Sequence, residues 1–276
     1  MFTNEEITAC IIKSLSNNIE ILKNQFKNSN NAIGYFYIDD LLPDQMVKEI
    51  YLSFPKPADT LLKKSLKENK YVSAQVNEHP QLIEDIIFAF QDKKVVQLIS
   101  EICNIKGLEP DSNLYAGGIS MMGKGSFLNP HLDNSHDKDR LRFRALNLLY
   151  YVSPQWSIEN GGNLELWPFG LKNKPITIHA KNNRLIVMVT HKKSWHSVSK
   201  VTVNKFRCCV SNYYFSKEPI DNQDNFYVTS FRGRPEQKIR DKYLKVDTFL
   251  RMQVRKVFKK GIIENPHVYK KEQNEK

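Results

Sequence analysis

Apolar residues recur at intervals of three and four through NEEITACIIKSLSNNIEILKNQFKN. Ile7, Ile11, Leu15, Ile19, Leu22 and Phe26 share one face, which predicts an amphipathic helix over residues 4–28 with Asn4 as its cap. After Gly34, YFYIDDLL reads as a short strand. Pro43 opens a second helix through about Tyr51, and residues 80–103 repeat the helical spacing with Pro80 at the start. From about Leu114 the texture changes. Short β-branched and aromatic runs (YAGGISMM, RFRALNLLYYV, NLELW, ITIHA, RLIVMVT, FRCCVSNYYF) are separated by Gly, Asn and Pro, with no helical segment between them. Such a succession predicts a sandwich or jelly roll rather than a parallel sheet. Helical spacing returns from Pro235 to about Lys260, with Ile239, Tyr243, Leu244, Phe249, Leu250, Val254 and Phe258 available for burial and Gly261 as a stop. No internal repeat is present. The expected chain is therefore α+β with a mainly β core. A mainly helical region (1–110) packs on that core (111–218), and a basic extension with a helix (219–276) follows.

Composition narrows the class. The 276 residues are 41% hydrophobic and 26% charged, which suits a globular chain, and no apolar run reaches the length of a membrane span. The first residues, MFTNEEITACIIKSL, carry acids where a secretory signal carries Lys or Arg, so the expected location is cytoplasmic. Four cysteines (Cys10, Cys103, Cys208, Cys209), with no C-x-x-C among them, argue against a disulfide framework or a zinc ribbon. The net charge is +11, and fourteen Lys or Arg against six Asp or Glu from Phe231 onward place +8 of it at the end. The basic helix there, with Arg251, Arg255, Lys256, Lys259 and Lys260, suits an anionic partner or a solvated face. It shows no clear pattern of base-stacking aromatics and no recognisable nucleic-acid-binding module.

One constellation carries chemistry. In H-x-D, His131 and Asp133 fall on the same side of an extended segment. With a distant imidazole, for which His196 is available, they would form the two-His-one-carboxylate face that holds non-haem Fe(II). The spacing alone leaves open that these histidines are surface or satisfied core groups.

The surrounding text is more specific. GKGSFLNPHLDN, RALNLLYYVSPQW, ENGGNLELWPFG, NRLIVMVTHKKSWHSV and FRCCVSNYYF, in that order between Gly118 and Phe215, resemble the catalytic core of prolyl-hydroxylase-type 2-oxoglutarate, Fe(II)-dependent dioxygenases. The resemblance implies a double-stranded β-helix, with His131, Asp133 and His196 as iron ligands. Arg207 would be the anchor of the distal 2-oxoglutarate carboxylate, Tyr151 a hydroxyl supporting that carboxylate, and Asn147 a further residue of the cosubstrate pocket. It also implies Fe(II), 2-oxoglutarate and O2 as cofactor and cosubstrates, with ascorbate a candidate addition, and hydroxylation of a C–H bond with release of succinate and CO2. The carboxylate at Asp133 favours hydroxylation over halogenation, since related halogenases leave that ligand position vacant. A prolyl residue in a peptide or protein is the first expected substrate. A small molecule, sugar or lipid is the alternative, and a non-catalytic jelly-roll binding module or a nucleic-acid-associated protein the remaining class.

This chain departs from the pattern in two places. Met121 and Met122 stand where many relatives carry a tyrosine, with Asn129 or Lys124 as possible substitutes. Cys209 stands where some branches have serine. Trp156 and Trp167 read as packing residues, and His136, with Asp137, and His191 as rim groups. His179 and His267 read as surface or supporting groups.

Overall fold

The computed structural model describes residues 2–221, 226–258 and 268–270. Gly261, Lys259, Lys260 and His267 lie outside the described residues.

The N-terminal apolar stripe resolves into two helices, α1 (Asn4–Asn17) and α2 (Ile19–Ser29). Asn18 interrupts the run, because its side-chain amide donates to the Ser14 carbonyl at 2.9 Å. The cap is Thr3 rather than Asn4. Thr3 Oγ1 accepts from the Glu6 N–H and the Glu6 carboxylate accepts from the Thr3 N–H, a reciprocal box that satisfies two otherwise orphaned donors. β1 (Tyr35–Ile38) and α3 (Asp44–Leu52), preceded by Pro43, follow the sequence expectation. A hairpin comes next that no sequence signal announced: β2 (Leu61–Lys64) and β3 (Glu68–Ser73), a lysine-rich pair without apolar alternation. The helical run 80–103 divides into α4 (Gln81–Ala89) and α5 (Lys93–Cys103), because Asp92 accepts from the N–H groups of Lys94 and Val95 and caps a new helix.

The β region contains β4 (Glu109–Pro110), β5 (Gly118–Met122), β6 (Phe127–Leu132), β7 (Phe143–Tyr151), β8 (Leu164–Leu166) and β9 (Ile176–Ile178). It continues with β10 (Arg184–Val189), β11 (His196–Val198), β12 (Arg207–Ser216) and β13 (Ser230–Phe231). The described strands form one curled antiparallel sheet in the order β1-β10-β7-β12-β5-β3-β6-β11-β8-β9, with β2 on β3, β4 on β12 and β13 on β6. It is a jelly-roll half-barrel.

Strand alternation divides the core in two. On the outer face, Tyr150, Val187, Val210 and Tyr214 pack against helical residues including Ile7, Ile11, Ile83 and Ile99. On the inner face, Tyr151, Ile186, Met188 and Cys209 meet Leu164 and Val198 from the opposite wall. The four cysteines are free thiols. No helix among the described residues is long and apolar enough to cross a membrane.

α6 (Lys238–Val257) confirms the C-terminal helix but not its burial. Leu244 is buried, whereas Ile239 (75% exposed), Tyr243 (66%), Phe249, Leu250 and Phe258 are open to solvent, and Val254 is half-buried. Polar contacts hold the helix along its length, with Lys67 paired to Asp247 at 2.8 Å in its middle and two contacts at its first turns. There Arg232 pairs with Asp241 at 2.5 Å and the Gly233 N–H donates to the same carboxylate at 3.0 Å.

Candidate metal and cosubstrate site

β6 and β11 are hydrogen-bonded neighbours, and His131 and His196 stand directly opposite each other. Asp133 follows the end of β6. The ligand atoms of these three buried residues lie within 4.8 Å of one another. Asp133 Oδ1 is 3.6 Å from His131 Nε2, and Asp133 Oδ2 is 3.8 Å from His196 Nε2. Each imidazole is oriented from behind. His131 Nδ1 is 3.0 Å from the Asn129 carbonyl and His196 Nδ1 is 2.9 Å from the Ser194 carbonyl. A carbonyl only accepts, so both Nδ1 atoms carry a proton and both Nε2 atoms are turned toward Asp133. Burial, reinforced by the neighbouring His196, lowers His131 to about 3, which keeps it neutral. Burial opposes ionisation of Asp133, but His196, Arg144 and His131 hold its carboxyl below the ordinary value. Two imidazole nitrogens and a carboxylate suit a divalent first-row metal with open positions.

The triad forms part of the wall of a cavity of about 730 Å³ that also receives Asn147 and Tyr151 from β7 and Arg207, Ser211 and Tyr213 from β12. The pleat sends the adjacent Tyr150 and Tyr151 to opposite faces of β7. Tyr150 points outward and donates to Asn183 Oδ1 at 2.8 Å, and Tyr151 points into the cavity. Burial raises the Tyr151 phenol, so the hydroxyl stays protonated. Arg207 donates to the Gly162 carbonyl at 3.2 Å, and its guanidinium carbon lies 5.1 Å from the Tyr151 ring centre. The Gly161–Gly162 turn makes that contact possible. Both residues have positive φ, and a Cβ at Gly161 would lie 2.0 Å from the Lys200 carbonyl.

Several buried polar atoms here have no partner among the described residues: Asp133 Oδ2, Asn147 Oδ1, the Tyr151 hydroxyl and Arg207 Nε. Leaving a buried polar group unpaired costs about 1–3 kcal/mol. Their convergence on one cavity fits a polar guest bearing both metal-binding and carboxylate groups, so the residues present suit Fe(II) and 2-oxoglutarate.

The other sequence candidates fall elsewhere. Lys124 is exposed, and Asn129 donates to the Leu66 carbonyl at 3.1 Å, so neither lines the cavity beside Met122. Lys70, on the unexpected hairpin, does. His136 is buried rather than at a rim, with Nδ1 2.7 Å from Ser135 Oγ. His191 Nδ1 accepts from the Lys193 N–H, and His179 Nε2 is 2.8 Å from the Trp156 carbonyl. Trp156 and Trp167 are packing residues, each with its indole N–H bonded, to the Gly161 carbonyl and to Ser197 Oγ respectively. Sequence reasoning missed Lys70, Arg144 and Tyr213. It also missed the network behind His196, in which Ser197 Oγ donates to Glu165 at 2.6 Å and Arg234 to the same carboxylate at 2.7 Å. Only the inward parity of Tyr213 with Arg207 was legible beforehand.

Comparison with known proteins gives the class. Residues 117–215 match the family described as the 2OG-Fe(II) oxygenase superfamily. Among solved structures, a prolyl-4-hydroxylase from Pseudomonas putida superimposes with a TM-score of 0.53 at 14% identity, covering 71% of this chain and 99% of that one. A 2OG-Fe(II) oxygenase family oxidoreductase from Burkholderia pseudomallei gives 0.51 at 16% identity (74% and 93%). HygX from Streptomyces hygroscopicus, with nickel, 2-oxoglutarate and hygromycin B bound, gives 0.50 at 12% identity (74% and 95%). No match is found among curated proteins. The structural likenesses define the fold as the double-stranded β-helix of oxygenases. The matched segment, residues 117–215, is similar to a 2OG-Fe(II) oxygenase core, and the match and the fold together support an enzyme of the dioxygenase class.

Proposed function

We propose that the protein is an Fe(II)- and 2-oxoglutarate-dependent hydroxylase acting first on a prolyl residue of a peptide or protein. The observation that carries the reading is the convergence of the His131–Asp133–His196 face and the unpartnered Arg207, Tyr151 and Asn147 atoms on one cavity. His131 and His196 would hold the metal through their Nε2 atoms and Asp133 through its carboxylate. Arg207 would grip the far carboxylate of 2-oxoglutarate in a charge-assisted pair, with the neutral Tyr151 hydroxyl beside it and the Asn147 amide along the same wall. When bound, iron and 2-oxoglutarate supply the oxidising power for O2-dependent C–H hydroxylation, with succinate and CO2 as products. The chain's own part is to aim both Nε2 atoms at one point, to keep His131 neutral and Asp133 charged, and to fix the cosubstrate's orientation in a buried cavity.

The prolyl assignment draws support from the Pseudomonas putida prolyl-4-hydroxylase neighbour. HygX, crystallised with hygromycin B on the same fold, supports the small-molecule alternative. The basic face of α6 supports an anionic partner, and four free thiols support a cytoplasmic location. The test is anaerobic titration with Fe(II) and 2-oxoglutarate, reading the visible charge-transfer band, followed by admission of O2 and a succinate assay. A band with succinate formation supports the reading and opens a screen of prolyl peptides against small molecules. A folded protein with no band refutes it.

A further inference from the structure

Among the described residues, Arg144 is a buried cation with only a long ion pair. Its side chain is 1% exposed, enters the cavity from β7, and lies over the Tyr213 ring with its guanidinium carbon 4.1 Å from the ring centre. Its Nη1 faces Asp133 Oδ1 at 3.8 Å, longer than a hydrogen bond. The opposite edge, Nε and Nη2, has no partner among the described residues. Asp111, the other buried carboxylate near it, accepts instead from the Tyr115 N–H at 2.7 Å and forms no ion pair with Arg144.

A second guanidinium repeats the pattern. Arg255, from α6, lines the same cavity, with its Nε buried and without a partner among the described residues. Its backbone carbonyl receives Arg140 Nη2 at 2.8 Å, and both arginines stand over the Phe226 ring, at 5.6 and 3.6 Å. Seven lysines and arginines line the cavity against two carboxylates, Glu68 and Asp133. Burying a cation with unmet donors is expensive unless an anion arrives to meet them.

We infer that the substrate carries a carboxylate, received by the Nε–Nη2 edge of Arg144 with Arg255 at the cavity mouth. The inference rests on the hydroxylase reading above and names the chemistry of its substrate. Two parallel N–H groups on a flat guanidinium backed by an aromatic ring match a planar carboxylate, which accepts two parallel bonds at once. A phosphate is a poorer fit, because it adds negative charge toward Asp133 and oxygens beyond those one edge can serve. Arg207 stands beside Tyr151, apart from this edge, and keeps the cosubstrate role. The carboxylate belongs either to a free acid or to an acidic residue of a peptide.

The test uses the full chain loaded with Fe(II) and saturating 2-oxoglutarate under argon, and isothermal calorimetry of matched acids and amides. The pairs are propionate against propionamide, L-proline against L-prolinamide, and acetyl-Ala-Pro-Glu-Ala-amide against its Gln counterpart, with inorganic phosphate as a control anion. We expect the acid to bind about tenfold tighter than its amide, since charge-assisted bonds are roughly twice as strong as neutral ones. The pair showing the larger preference tells a free acid from a peptide acid. Arg144→Lys, which keeps the charge and loses the planar edge, should reduce the preference to about threefold or less. Acids and amides binding alike in every pair, or phosphate binding as well as the acids, would overturn the inference while a normal charge-transfer band left the hydroxylase reading intact. So would a rise in the 2-oxoglutarate requirement of Arg144→Lys matching that of Arg207→Ala. Absence of the band in the wild type would strike the hydroxylase reading first.

Discussion

Replacing Arg207 by alanine removes the group assigned to the far carboxylate of 2-oxoglutarate, and its effect can be worked from the contacts around it. Arg207 is 3% exposed. Nη1 donates to the Gly162 carbonyl at 3.2 Å, Nη2 makes a long 3.5 Å contact with Ser120 Oγ, and Nε is unpartnered. Two donors, Nε and Nη2, are therefore free or weakly engaged, enough for one bidentate carboxylate. A hydrogen bond to a charged group contributes about 1.5–3 kcal/mol, so a pair contributes at least about 3 kcal/mol. At 1.4 kcal/mol per decade, the 2-oxoglutarate dissociation constant of Arg207→Ala should rise about 100-fold. Arg207→Lys keeps the charge but not the fork and should fall between the two. The residues assigned to the metal are on other elements, so Fe(II) affinity measured without cosubstrate should change by less than about threefold, as for sites that share no partner. Anaerobic titration of 2-oxoglutarate into iron-saturated protein gives the first constant and direct metal titration the second, with circular dichroism confirming the fold. A 2-oxoglutarate constant within threefold of wild type, or equal losses for metal and cosubstrate, would refute the anchoring role.

Other substitutions test the remaining parts. His131→Ala or Asp133→Ala should lower succinate formation by more than about 100-fold with far-ultraviolet dichroism unchanged, since even groups behind the ligands carry effects of 10- to 100-fold. Full activity in either variant would end the ligand assignment. Asn183 is buried, accepts from Leu42 N–H and the Tyr150 hydroxyl, and donates to the Leu42 carbonyl. Asn183→Ala should therefore cost about 3 kcal/mol in urea unfolding, the penalty of stranding these buried groups, and a loss under about 1 kcal/mol would count against that accounting. Burial alone would raise the Asp241 carboxyl, but bonds from Arg232, Lys245 and the Gly233 N–H bring it down to about 2. Its folded value is depressed, so its contribution is present above the unfolded value of about 4 and is lost as pH falls toward about 2. Protease sensitivity of α6 should rise across that window in the wild type, while Asp241→Asn should show high sensitivity at every pH.

Local rules read the chain well wherever one face of one element decided the outcome. The stripe Ile7–Ile11–Leu15, Pro43 and Pro80 ahead of their helices, and the β-branched runs after Leu114 determined their elements, because spacing, capping and pleat act within a few residues. H-x-D put His131 and Asp133 on one side by parity, and the strand beginning at Arg207 put Ser211 and Tyr213 on its inward face for the same reason. Tertiary structure decided what depends on residues far apart. It paired β6 with β11 so that His131 faces His196 across sixty-odd positions, and it brought the β2–β3 hairpin and Lys70 to the cavity. It also left α6 with one buried apolar residue, Leu244, where spacing promised seven. Helical periodicity says which side chains share a face, but only the surface that the rest of the chain offers says whether that face is covered. Arg144 illustrates the same limit. In RFRALNLLYYV it is one basic residue among apolar neighbours, and its unpaired edge exists only because β7, β12 and the end of β6 enclose it away from water.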